Sequence, residues 1–204
     1  MSEADGIYRH LTDGRKLEIV KMKKKKIILA CIAVVLIGVI GWGYWVVSVN
    51  SKVFDDIYTE YTSSQVNGKN AILIYQPSRT SFSEVVATDI AKGLNDSGYN
   101  VTLTTANDKL TKDLSKYQII VFGTPIYTGQ YSSTIKEYVK SIKNYGEAEI
   151  FFYCIGMLEG TGELESMKNL FKGQNLVEAV KISKSKCVED KEYAYKYGCQ
   201  IGTK

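Results

Sequence analysis

Ile27 to Val49 reads IILACIAVVLIGVIGWGYWVVSV, twenty-three residues without one charged side chain. A helix rises about 1.5 Å per residue, so this stretch reaches across a hydrocarbon core of about 30 Å. Trp42, Tyr44 and Trp45 fall near its C-terminal end, where amphipathic rings prefer the membrane interface. A cleaved signal peptide would have a shorter apolar region followed by a small-x-small site, and Val47-Ser-Val-Asn50 is a poor one. Ile28-Leu-Ala-Cys31 has the outline of a lipidation box, but the apolar run continues well past the cysteine. The segment therefore reads as one uncleaved transmembrane helix.

Charge is divided unevenly around it. Residues 1–26 hold eight Lys/Arg against four Asp/Glu, and residues 27–204 hold eighteen of each, so the surplus of +4 lies in the N-terminal tail. Eight Lys/Arg occupy the twenty residues before the span, whereas only Lys52 and Lys69 occupy the twenty after it. Positive-inside logic places the N-terminus in the cytoplasm and the rest of the chain outside the cell membrane. A main domain with no net charge argues against a nucleic-acid partner. The only histidine, His10, is in the tail, which excludes a Ser-His-Asp triad, a Cys-His pair or a His-based zinc site from the main domain.

The partition that results is a basic tail at 1–26, the transmembrane helix at 27–49, a linker at 50–70 and one domain at 71–204. Residues 1–21 carry no periodicity and read as a loose tail. In the linker, Val53, Phe54, Ile57, Tyr58 and Tyr61 are spaced to make a short helix.

From Ala71 strands alternate with helices. A continuous apolar run at 71–75 marks a strand buried on both faces, and further strands are expected at 99–104, 118–122, 149–153 and 176–182. Helical spacing recurs at Phe82–Leu94, closed by Gly98, at Ser132–Lys143, with Ser132 or Ser133 as N-cap, and at Leu164–Phe171, closed by Gly173. A last helix is expected in 190–204, against the period-two spacing of Tyr193, Tyr195 and Tyr197. This order demands parallel pairing with right-handed crossovers. The expected fold is α/β, a three-layer sandwich around a five-stranded parallel sheet.

Ligands of such sheets bind at the carboxyl ends of the strands, where the strand order reverses. Two loops there are distinctive. Gln76–Ser83 gathers Ser78, Thr80, Ser81 and Ser83 at the start of a helix, a set of hydroxyls and amide N–H groups suited to a phosphate. One serine capping the helix would account for only one of them. Arg79 is expected to point outward. The second loop, Gly123-Thr-Pro-Ile-Tyr-Thr-Gly129, places an aromatic ring beside backbone that can be approached closely; a plain βα loop is its other reading.

Together the loops resemble the flavodoxin superfamily over Ala71 to about Ile182. Ser78-x-Thr80-Ser81-Phe82-Ser83 is similar to that family's flavin-phosphate loop, with Ser81 standing where the motif has glycine. Val121-Phe-Gly-Thr-Pro-Ile-Tyr-Thr-Gly129 is similar to its Gly-Ser-Pro-Ile-Tyr-x-Gly segment, closest to the branch that includes menaquinone-dependent protoporphyrinogen dehydrogenase. The resemblance implies FMN as cofactor. Ser78, Thr80, Ser81, Phe82 and Ser83 would hold its phosphate, and Thr124, Pro125, Ile126, Tyr127, Thr128 and Gly129 would line its ring. The Cys154–Gly162 loop would close the third side. It implies a membrane-anchored flavoprotein in electron transfer or flavin-dependent redox chemistry, with a quinone or a redox protein as partner. A flavin-free domain of the same fold, acting as a surface binding or adaptor module, is the alternative.

Cys187 and Cys199 lie on the side of the membrane where disulfides form, and read either as a bridge or as two thiols. The orientation is open to direct test. Protease added to intact cells is expected to digest the chain beyond residue 49. Digestion only after lysis would reverse the assigned topology.

Overall fold

The computed structural model describes the backbone of residues 3–50, 57–64, 68–127, 129–156 and 162–204, and side chains from residue 24 onward except at 49, 50 and 163. Two units divide the chain, Met1–Trp45 and Val46–Lys204.

The first unit is helical. One helix, α1 (Glu3–Asn50), runs for 48 residues, so the tail expected to be loose is helical too. Its composition explains this. Leu11, Arg15, Lys16, Leu17, Glu18 and Lys21 are good helix formers, and a helix already nucleated adds one hydrogen bond per residue without a new nucleus. Within α1, Lys24–Ser48 is long and apolar enough to cross a membrane. None of it is buried against protein; Leu29 is 72% exposed and Ile40 70%, so its apolar faces belong to no protein core.

The second unit alternates as expected, with additions. In chain order it runs β1 (Tyr58–Tyr61), β2 (Lys69–Tyr75), α2 (Phe82–Asp96), β3 (Tyr99–Thr105), β4 (Ile119–Tyr127), β5 (Gln130–Tyr131) and α3 (Ser133–Ser141). Then follow β6 (Glu149–Ile155), α4 (Gly162–Lys168) with a 3₁₀ turn at Asn169–Phe171, β7 (Leu176–Ile182), α5 (Lys184–Glu189) and α6 (Tyr193–Gly202). The sheet order is β1-β3-β2-β4-β6-β7. The five strands from β3 to β7 on this path are parallel, and β1 pairs antiparallel on the outside of β3, Tyr58 opposite Thr104.

β1 replaces the short helix expected around Ile57–Tyr61; Val53 and Phe54 lie outside the described residues. Aromatic and β-branched residues favour the extended form, and the edge of β3 supplies a row of unpaired backbone groups to join. β4 also departs from expectation. It continues through Gly123–Tyr127 and turns back as a hairpin, with Ile126 opposite Tyr131 and Tyr127 opposite Gln130. Its extended backbone is held by β6, which places Thr124 opposite Cys154 and Pro125 opposite Ile155.

Alternation along the strands builds two cores. Ala71, Leu73 and Tyr75 of β2 face α2 and α6 together with Val121, Phe151 and Tyr153. Ile72 and Ile74 face the opposite side with Phe122, Phe152, Cys154, Ile135 of α3 and Phe171. The last helix is anchored by Ala194, Tyr197, Gly198 and Ile201, all buried, at helical spacing that the tyrosine alternation masks. Cys187 and Cys199 are separate thiols.

α2 and α6 meet backbone to backbone. A Cβ on Gly198 would stand 2.2 Å from the Ile90 carbonyl oxygen, and one on Gly93 would stand 2.2 Å from that of Tyr195. Neither oxygen can yield without moving a helix. Gly198→Ala is therefore expected to lower unfolding stability by about 1–3 kcal/mol in urea titrations, the usual cost of overpacking. An unchanged midpoint would show that the helices can separate freely.

Candidate functional site

β2 lies between β3 and β4, and the connections that leave β2 and β4 run on opposite faces of the sheet. β2 leads into α2 on one face, and β4 leads through the hairpin into α3 on the other. This is the reversal of strand order at which open parallel sheets bind ligands. The backbone here is tightly fixed. Tyr75 sits opposite both Thr105 and Gly123, and the Gln76 N–H donates to the Gly123 carbonyl at 2.9 Å, carrying the ladder one residue past the strand.

A cavity of about 500 Å³ opens at this point. Such a volume is within the range of small-molecule pockets. Of the residues expected to form the site, Ser78, Thr80, Phe82, Pro125, Ile126 and Tyr127 all line it. Two loops almost fifty residues apart in sequence thus share one wall and one floor. Arg79, expected to point away, lines it as well. So do Ile155 and Gly156, at the start of the loop expected to close the third side, whose residues 157–161 lie outside the described set.

The remaining expected residues stand differently. Ser81 stands at the N-cap position of α2 without a side-chain capping bond and is exposed, with φ −65°. That value is open to any residue, so the serine replaces the motif's glycine without strain. Ser83, in the first turn of α2, is 1% exposed, and its hydroxyl has no hydrogen-bond partner among the described residues. Thr124 is buried and turned to the scaffold, its Oγ1 accepting the Ser132 N–H at 3.1 Å at the start of α3. Gly129 takes φ 75° in the hairpin turn, a left-handed conformation that glycine adopts without cost, and Thr128 lies outside the described residues.

The Ser78–Ser83 loop is internally tied. Ser78 Oγ donates to the Thr80 carbonyl at 2.7 Å, and the Arg79 N–H donates to the Tyr127 hydroxyl at 3.0 Å, joining the two loops across the cavity. Lys184 and Ser185, at the start of α5, line the far side. Sequence reasoning missed them, although β7 ends at Ile182 and its carboxyl end must open on the same edge of the sheet. Among the described lining residues the charged groups are Arg79 and Lys184, both cationic.

Behind the loops lies a polar anomaly. The hydroxyls of Tyr75, Tyr153 and Tyr197 are buried without partners among the described residues. Tyr153 packs into the space left by Gly123, where a Cβ would fall 2.2 Å from its Cζ. Burial, followed by the nearby Glu84 carboxylate and Tyr61, pushes the Tyr75 phenol up to about 12. Burial raises Tyr153 and Tyr197 as well.

Comparison with known proteins agrees with this geometry. A family model described as a flavodoxin domain matches residues 73–191. The chain belongs to the flavodoxin-domain family. A flavodoxin from the domain Archaea superposes with a TM-score of 0.51 at 12% identity, over 66% of this chain and 96% of that one. The two-electron reduced flavodoxin of Megasphaera elsdenii gives 0.52 at 13%, over 65% and 99%. An NAD(P)H:quinone oxidoreductase from Methanothermobacter marburgensis gives 0.51 at 16%, over 66% and 99%. At such identities the likeness is one of fold. No protein of curated function matches the sequence.

The buried phenol of this flavodoxin domain has a measurable consequence. Below pH 10 the folded and unfolded chains both keep the Tyr75 proton. Above it the unfolded phenol ionises while the folded one holds its proton to about 12, so stability falls as pH rises through that window. Tyr75→Phe is expected to flatten this alkaline loss and to leave neutral-pH stability equal or higher, read from denaturation midpoints between pH 8 and 12. Parallel curves for parent and variant would show that Tyr75 does not titrate with unfolding.

Proposed function

We propose that this protein is a membrane-anchored FMN-binding flavodoxin-like protein serving electron transfer or flavin-dependent redox chemistry. One observation carries the reading. The hydroxyl-rich loop at the start of α2 and the Pro125–Tyr127 segment of β4 converge on one cavity where the strand order reverses.

The residues fit the cofactor. Ser78 and Thr80 line the cavity beside the amide-bearing start of a 15-residue helix, an arrangement that favours an anion. The buried Ser83 hydroxyl, unpartnered among the described residues, is a donor in reserve at that helix end. Arg79 and Lys184 add positive charge at the rim. Pro125, Ile126, Ile155 and the rings of Phe82 and Tyr127 supply the flat apolar surface that an isoalloxazine requires. FMN held there would supply hydride or electron transfer, and the protein's part is to bind, orient and screen it. The Gly123–Gly129 segment supports placement near the branch that includes menaquinone-dependent protoporphyrinogen dehydrogenase, and with it a quinone or redox-protein partner.

The uncovered apolar helix and the lysines before it support a single-pass anchor with a cytoplasmic N-terminus and an extracytoplasmic domain.

Full-length protein in detergent is expected to bind FMN, detected by its visible spectrum and by quenching of flavin fluorescence. Charge-assisted hydrogen bonds contribute about 1.5–3 kcal/mol each, so Thr80→Ala with Ser83→Ala is expected to weaken FMN by roughly two to four decades. Riboflavin, lacking the phosphate, is expected to bind parent and variant equally, and the apo-protein's Tm to hold. Unchanged FMN affinity would reduce the loop to a helix cap. Absence of FMN uptake by the parent would leave the flavin-free binding module.

A further inference from the structure

We propose that Tyr127 is a latch on the phosphate loop: its hydroxyl occupies the Arg79 backbone N–H, and a phosphate must displace it to bind. The inference rests on the FMN reading above and assigns a role within that site.

The bond spans the cavity. Arg79 belongs to the loop between β2 and α2, and Tyr127 ends β4, forty-eight positions later; their N–H and hydroxyl meet at 3.0 Å. Both residues line the cavity, Arg79 exposed and Tyr127 half-buried. The amide lies between the two hydroxyl residues of the loop, Ser78 and Thr80, so a phosphate cradled by those side chains would meet this N–H as well. The same loop spends a second donor on itself, Ser78 Oγ to the Thr80 carbonyl.

The competition has a definite winner. A phenol oxygen is a neutral acceptor, whereas phosphate oxygens carry charge and form hydrogen bonds roughly twice as strong. A phosphate therefore takes the amide from Tyr127. A ligand without one has nothing to exchange for it and leaves the latch closed. The backbone of Tyr127 does not need to move, because it is paired with Gln130 in the hairpin. Release is a side-chain event, and it removes one restraint on the ring that shares the apolar wall of Pro125 and Ile126. In this way Tyr127 acts as a positioning residue that links occupation of the phosphate end to the arrangement of the ring end.

Tyr127→Phe keeps the ring and deletes the hydroxyl. Full-length parent and variant in detergent would be titrated with FMN and with riboflavin by fluorescence, and hydrogen exchange of the Arg79 amide followed without ligand. The variant is expected to bind FMN about two- to tenfold tighter, the range that one neutral hydrogen bond supplies, with riboflavin unchanged and the Arg79 amide exchanging faster. FMN binding equal to or weaker than the parent's would overturn the latch. An equal gain for riboflavin would also overturn it, by tracing the effect to ring access. A parent that binds no FMN would instead remove the FMN reading, and the latch with it. Should the variant not fold, Tyr127→Leu carries the exchange test, and unaltered Arg79 exchange there would equally overturn the proposal.

Discussion

The double pairing of β2 is the constraint on which the rest of the domain depends. With β3 on one side and β4 on the other, the ladder fixes the carboxyl ends of three strands at one height, with Tyr75 opposite Thr105 and Gly123. Two further bonds extend it beyond the strand, from the Gln76 N–H to the Gly123 carbonyl at 2.9 Å and from the Ala106 N–H to the Tyr75 carbonyl at 3.3 Å. The loops that follow are short of freedom where they begin, and they depart to opposite faces. A cleft at that point is a geometric outcome of the strand order.

The pairing also decides what lies beneath the cleft. Gly123 is opposite Tyr153 as well as Tyr75, and the missing side chain makes room for the Tyr153 ring. Three tyrosine hydroxyls on the α2 and α6 side of the sheet go without partners among the described residues. Each such group carries a desolvation cost of about 1–3 kcal/mol. Large rings buried to 6% exposure or less offset it by apolar contact, and phenylalanine would supply the same contact without the penalty. The tyrosines therefore mark the core under the site as one not optimised for stability alone, which is where a fold that serves a ligand is expected to deviate from local rules.

How much of this is legible in the sequence follows from which forces leave a trace there. Burial on two faces writes the continuous apolar run at 71–75, and the other four parallel strands stand out as short stretches alternating with helical spacing. Burial on one face writes helical spacing, and α2 and α3 were read from that. β1 escaped because Tyr58, Thr59 and Glu60 are exposed, so backbone pairing holds it without any apolar pattern. The extension of β4 past Pro125 was hidden for a related reason, since proline and glycine signal a loop while the partner strand β6 keeps the backbone extended. At the site, residue types identified Ser78, Thr80, Pro125 and Tyr127. Their meeting in one cavity, and the entry of Lys184 and Ser185 from the end of β7, are properties of topology. The bond between Arg79 and Tyr127 depends on a backbone N–H, which no residue type announces.

That bond bears on how the site can hold an anion at all. Arg79 and Lys184 are exposed, and charges facing solvent are screened beyond a Debye length of about 8–10 Å. Exposed pairs of this kind contribute about 0–1 kcal/mol, so in the proposed site the two cations would attract a phosphate without gripping it. Grip has to come from short-range donors. Of these, the Ser78 hydroxyl is engaged with the Thr80 carbonyl and the Arg79 amide with Tyr127, while the Ser83 hydroxyl is buried and unpartnered among the described residues. In the proposed site, binding a phosphate would exchange two internal bonds, those of Ser78 and Arg79, for external ones, and would gain a third outright if it engages Ser83 in the first turn of α2. The net affinity would follow from the difference in acceptor strength at the first two donors and from the whole interaction at the third. Counting hydroxyls in the loop would overstate it, because a donor already satisfied contributes only its preference for the stronger partner.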